Sequence, residues 1–111
     1  MNKIVFRGDI FTTDLGHGVC SEHQGIKYCL VVQNDIGNQY SSTTIVIPIS
    51  KVKKQMPTHV ELDGILPQIS YVLCEQIRVI DKTRLKNRFC RVSNDIMIEV
   101  EYGIKSALDI Y

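Results

Sequence analysis

The sequence predicts a small, mostly antiparallel β barrel with a single helix at its C-terminal end. Short apolar runs rich in β-branched and aromatic residues recur along the chain, each bounded by Gly, Pro, Asn or Asp, and runs of that length suit strands better than helices. The helical signal is confined to the end, where Ile96, Val100, Ile104, Leu108 and Tyr111 form one apolar stripe behind Ser93. At 111 residues, with 44% hydrophobic and 23% charged residues, the chain makes one soluble domain spanning 1–111, with a core modest enough to gain from a partner subunit.

In order, Ile10-Phe11-Thr12-Thr13 reads as the first strand, with Asp9 of Arg7-Gly8-Asp9 accepting backbone hydrogen bonds at its start. Gly16 to Gly25 is a polar, glycine-punctuated loop, long enough to suggest a function. Tyr28-Cys29-Leu30-Val31-Val32 follows as a strand buried on both faces, with Lys27 at its mouth, its stem placed along apolar surface at the rim of a pocket. Asn34 to Ser42 reads as another polar loop. Thr43 to Ile47 is a second core strand that Pro48 should end.

Lys51, Lys53 and Lys54 come next, then the alternating strand His59-Val60-Glu61-Leu62 and a turn at Asp63-Gly64. Ile69 to Leu73 and Gln76 to Ile80 read as short strands or one kinked strand, Asp81 to Leu85 as a helical turn, and Phe89 to Val92 as the last strand. Ser93 then caps a helix of about five turns, with Val92 and Met97 at the hydrophobic-staple positions.

No apolar run approaches the roughly 20 residues of a membrane span, and no signal peptide opens the chain, so a cytoplasmic protein is expected. Cys20, Cys29, Cys74 and Cys90 show no C-x-x-C spacing. They read as free thiols rather than disulfides or a zinc site, with Cys29 and Cys74 as small core residues. The net charge is only +1, but its distribution is uneven. Arg78, Lys82, Arg84, Lys86, Arg88 and Arg91 stand together against Asp81 alone, whereas the C-terminal segment is acidic. A chain with its signs separated in this way can present a phosphate-binding face.

Taken together, Arg7-Gly8-Asp9-Ile10-Phe11, the loop SEHQGIK, and the blocks VVQNDIGN, TTIVIPIS, MPTHVEL and CEQIRVIDKTRL resemble the MazF/PemK family of toxin endoribonucleases. The blocks occur in the family's order and spacing from Arg7 to Leu85. The resemblance implies a small SH3-like barrel of the MazF/CcdB/Kid type that pairs as a homodimer. It further implies sequence-selective cleavage of single-stranded RNA with no metal or other cofactor, restrained by a cognate antitoxin, and no role at a membrane. On the family's pattern the catalytic pair falls on Lys27 and Ser50. The matching motif positions and the basic clusters together put RNA binding on Ser21, Glu22, His23, Gln24, Lys51, Lys53, Lys54, Thr58, His59, Gln76, Arg78 and Arg84. This sequence departs from the pattern in having Lys27-Tyr28 for Arg-Pro, Ser50 for Thr and His23 for Gln. Lysine keeps the positive charge but loses the planar fork that grips a phosphate with two bonds.

Two functions are therefore weighed. One is an endoribonuclease in which Lys27 and Ser50 act on one phosphate, with His23 and His59 as alternatives for proton transfer. The other is a non-cleaving relative on the same fold, binding RNA or antitoxin or poisoning a topoisomerase. A polar pair at 27 and 50 favours the first, since a pure binder has no need of it.

Overall fold

The structure is a computed structural model and describes residues 3–16 and 26–111, with Ile26 described in its backbone only. Its strands are β1 (Asp9–Asp14), β2 (Ile26–Val31), β3 (Thr43–Ser50), β4 (His59–Leu62), β5 (Ser70–Leu73), β6 (Arg78–Asp81) and β7 (Leu85–Arg91). Its helices are α1 (Asp35–Tyr40) and α2 (Asn94–Ala107). The strands run β4-β5-β3-β2-β1-β7, with β6 also paired to β3, and every pairing is antiparallel. The mostly β class with a C-terminal helix is as expected. The sheet curls into a barrel-like form without closing, since β4 and β7 form its two ends.

β2 is buried on both faces, as its unbroken apolar run predicts. Leu30 packs with Ile10, Ile47, Val72 and Val100 in one cluster. Its neighbours Cys29 and Val31 join Phe11, Val46, Ile80 and Leu85 in the other. Period-2 alternation thus feeds two cores from one strand. Burial pushes both the Cys29 and the Cys74 thiols up to about 12, which marks them as packing residues rather than nucleophiles.

Four readings need correction. Asn34 to Ser42 is not a loop throughout: Asn34 accepts a 2.8 Å bond from the Gly37 amide and caps α1. Gly37 and Asn38 are poor helix formers, so the cap and the packing of buried Asn38 hold this turn rather than propensity. Pro48 does not end β3. It lies opposite Cys29, between the last β6 pair (Val46 with Arg78) and the first β5 pair (Ile49 with Val72). Its missing donor therefore falls where that edge changes partner.

The third is the last strand, β7, which begins at Leu85 rather than Phe89 because Leu85 already pairs with Thr13 of β1; the two short strands expected after Ile69 are β5 and β6, separated by a 3-10 turn at Cys74–Gln76. The last concerns α2, whose 14 residues make about four turns rather than five. Its buried face is Met97, Val100 and Gly103, while Leu108 and Tyr111 are exposed. Ser93 caps it as expected, its hydroxyl accepting from the Ile96 amide. Gly103 allows close approach: a Cβ there would lie 2.7 Å from Cys74 Sγ. The helix thus presses directly on the turn that carries Glu75.

At the other end of the sheet, Asp9 is fully buried and accepts from the Phe6 amide at 3.0 Å, as predicted. It also takes Nε bonds from Arg88 (3.1 Å) and Arg91 (3.0 Å) on one carboxylate oxygen.

Candidate active site

Lys27 and Ser50 come together at neighbouring strand ends. The β2–β3 ladder ends with Cys29 opposite Pro48, and Lys27 and Ser50 lie two residues beyond that last pair on their strands. Both line one cavity of about 490 Å³, together with Tyr28, Lys51, Leu66 and Gln68. Lys27 is exposed and lies opposite Thr13 on its other side. The Ser50 hydroxyl accepts a 3.1 Å bond from the Val52 amide, and Ser50 faces Tyr71 of β5. The groove thus has a cation and a hydroxyl in its lining, beside apolar Ile49 and Leu66.

Ser50 also belongs to a crevice of about 10 Å³ lined by Lys54, His59, Leu73, Glu75 and Gln76. A neighbouring cavity of about 400 Å³ takes in Lys53, Lys54, His59 and Tyr71. Here the 3-10 turn brings Glu75 under two predicted site residues. Thr58 Oγ1 donates to Glu75 Oε1 at 2.7 Å, and His59 Nε2 meets Glu75 Oε2 at 2.9 Å. Burial raises the Glu75 carboxyl, but the bonds from His59 and Thr58 outweigh it and leave it below the usual carboxylate range. The His59 side chain is only 4% exposed, and its Nδ1 is buried with no hydrogen-bond partner. With Nε2 engaged on a carboxylate, the neutral ring carries its proton there and leaves Nδ1 as an acceptor.

The predicted set is thus divided. Lys27, Ser50 and Lys51 share the main groove, while Lys53, Lys54, His59 and Gln76 line the adjoining cavities, with Thr58 held against Glu75. Arg78 and Arg84 line none of these: Arg78 stands in β6 opposite Val46, and Arg84 donates to the Asp14 carbonyl at 3.4 Å. Ser21, Glu22, His23 and Gln24 lie outside the described residues.

Glu75 is not among the site residues expected from the sequence, although it lies in the CEQIRVIDKTRL block. The signal that finds it is spatial, because residues 58 and 59 meet 75 only across the β4–β5 ladder. Gln68 was passed over too, lying between the Asp63-Gly64 turn and β5 where nothing but chain geometry points it at the groove.

Residues 6–108 match the PemK-like, MazF-like toxin family of type II toxin-antitoxin systems. The chain belongs to this toxin family. It is 41% identical over 110 residues to Endoribonuclease EndoA of Bacillus subtilis (strain 168), covering 95% of each chain. It is equally identical over 112 residues to Endoribonuclease MazF of Staphylococcus epidermidis, covering 96% of this chain and 90% of that one. Among solved structures, MazF (Form-I) from Deinococcus radiodurans superimposes with a TM-score of 0.85 at 20% identity, over 98% of this chain and 100% of that one. A mycobacterial endoribonuclease in complex with its cognate antitoxin gives 0.83 at 22% identity, over 96% and 97%. At those identities the superpositions speak to the toxin fold alone. Among the described residues of this family member, no helix is long and apolar enough to cross a membrane.

Proposed function

We propose that this chain is the toxin of a type II toxin-antitoxin system and an endoribonuclease, cutting single-stranded RNA at the Lys27–Ser50 groove without a metal ion. The observation that carries this reading is that Lys27 and Ser50 line one groove, in a chain 41% identical to two proteins named endoribonuclease. In the reaction, the 2′-oxygen bonds to the adjacent phosphorus and the bond to the 5′-oxygen breaks. The proton of the 2′-hydroxyl leaves to a base, and a proton reaches the departing 5′-oxygen. Lys27 stabilises the charge gathering on the phosphorane oxygens, and the Ser50 hydroxyl donates to one of them. His59, its Nε2 held by Glu75, and His23 are the candidates for moving these protons.

The working form is a homodimer. A cognate antitoxin silences it by folding an acidic segment over Lys51, Lys53, Lys54, Arg78 and Arg84, which also hold RNA. Incubating a long RNA with the purified protein and a chelator tests the activity. Discrete fragments are expected. An intact but shifted band would instead identify a binding module, and intact RNA with no shift would leave a topoisomerase-directed toxin.

A further inference from the structure

Beyond the groove, the described residues hold one more preorganised cationic cluster, on the open edge strand β7. Arg88 and Arg91 both reach the same oxygen of Asp9, and each does so through Nε. One carboxylate cannot neutralise two guanidiniums, so the cluster keeps a net positive charge. Their side chains are 48% and 47% exposed, while Asp9 is fully buried. The inner nitrogens are therefore anchored and the outer ones turned to solvent. Phe6 fixes the second arginine further, its ring centroid 4.8 Å from the Arg91 guanidinium carbon.

The cluster lies round the β7 edge from the groove: Arg88 and Arg91 fall on the Asp9 and Phe11 face of the sheet, and Tyr28 falls on the Ile10 and Leu30 face. Tyr28, which lines the groove beside Lys27, packs edge-on against Phe89 at 5.4 Å, and half-exposed Phe89 stands next to Arg88 in β7. Along β1, Thr13 lies opposite Lys27 and Asp9 lies opposite Arg91. Lys27 and Arg91 are thus four residues apart along β1 and on opposite sides of it, roughly 16 Å in all, a span of a few nucleotides. Guanidinium forks with an exposed aromatic between them and a cationic groove suit a flexible, phosphate-rich strand with unstacked bases.

We propose that Arg88 and Arg91, locked by Asp9, form an auxiliary phosphate-binding site on β7 that holds the RNA strand as it leaves the Lys27–Ser50 groove over Tyr28 and Phe89. This rests on the endoribonuclease reading above. A lone buried carboxylate needs one counterion for its own stability; the second arginine and the outward nitrogens are what the RNA site explains.

The test uses the full protein and a 2′-O-methylated, uncleavable RNA spanning a mapped cleavage site, in lengths of about four and about twelve nucleotides. Arg88→Gln/Arg91→Gln should weaken binding of the longer RNA about tenfold near physiological salt and lower the slope of log affinity against log salt by about 1.4, the value for two single-strand phosphates. The short RNA should bind as before, and Phe89→Ala should also spare it while weakening the longer one. Equal effects on both lengths, or an unchanged slope, overturn the proposal.

Removing both arginines strips Asp9 of its counterions and can unfold the chain. Phenylglyoxal labelling of the unaltered protein is therefore read alongside. The longer RNA should shield Arg88 and Arg91 and the short one should not; no shielding overturns the proposal. If the substitutions only split a dimer in light scattering, β7 is a subunit surface and the proposal falls. If the unaltered protein neither cleaves nor binds RNA, the underlying reading falls with it. Cleavage with an indifferent β7 sinks the auxiliary site alone.

Discussion

Replacing Gly103 by alanine tests how firmly α2 is pressed against the wall of the candidate site. In an open helix the change is favourable by about 1 kcal/mol, because alanine loses less backbone entropy than glycine. Here the new Cβ would lie 2.7 Å from Cys74 Sγ, 3.2 Å from Cys74 Cβ and 3.3 Å from the Thr58 carbonyl. The first distance is well inside contact, and Cys74 is fully buried beneath the helix, so neither group can swing clear. Overpacking of this kind costs about 1–3 kcal/mol, and with both Cys74 and backbone obstructing, the upper part of that range applies. The net expectation is a loss of about 1–2 kcal/mol, a fall in Tm of about 4–8 °C for a chain of this size.

Urea unfolding of Gly103→Ala, Cys74→Ala and the double variant makes the measurement specific. Cys74→Ala alone leaves a small void, but in its background the Gly103 change should become neutral or mildly stabilising. The resulting coupling is about 1–3 kcal/mol. If Gly103→Ala stabilises the parent protein by the ordinary helix increment, or if the two changes simply add, α2 does not bear on this turn as described.

Lys27→Ala should lower kcat by about 10²–10³ with a smaller effect on KM, the pattern for a donor used chiefly in the transition state. Lys27→Arg should keep or raise the rate, Ser50→Ala should slow cleavage and Ser50→Thr should be near neutral; parent rates for both alanine variants in single-turnover assays would show the site is misplaced. Glu75, ordinarily near 4.5 but lowered in the fold, contributes stability that is present above pH 4.5 and lost as pH falls through its folded value. The stability gap between the parent and Glu75→Gln should therefore narrow below pH 4.5, by under about 1 kcal/mol for a carboxylate this accessible; a gap that stays constant under acid contradicts the assignment. Light scattering at micromolar concentration should give twice the chain mass, and a monomer would count against the dimer.

The sheet was legible because its strands are apolar runs with sharp boundaries. Cys29, Leu30 and Val31 are fully buried and feed both cores, as an unbroken run predicts. α1 was not legible: six residues containing Gly37 and Asn38 carry no periodicity, and their helix depends on a side-chain cap and on burial of Asn38. Pro48 misled for a related reason, since a proline ends a strand only where the ladder needs its donor. The stripe on α2 pointed to Leu108 and Tyr111, but the helix stops at Ala107 and they lie past it. At the site, Lys27 and Ser50 were legible through family blocks, whereas Glu75 becomes meaningful only once β4 and β5 pair and bring Thr58 and His59 onto it.

The buried Asp9 also governs when the fold can form. Its two counterions come from Arg88 and Arg91, 79 and 82 residues later in the chain. Burying a carboxylate before its partners exist is costly, so β1 cannot settle into the sheet until β7 has been made. Lys27 sits in β2, directly paired to β1. On the ribosome, then, the strands that carry the groove are translated early but stay unanchored until the arginines emerge. A nascent or truncated chain ending before β7 holds every proposed catalytic residue and no framework to align them, so the toxin's site matures only as synthesis nears its end.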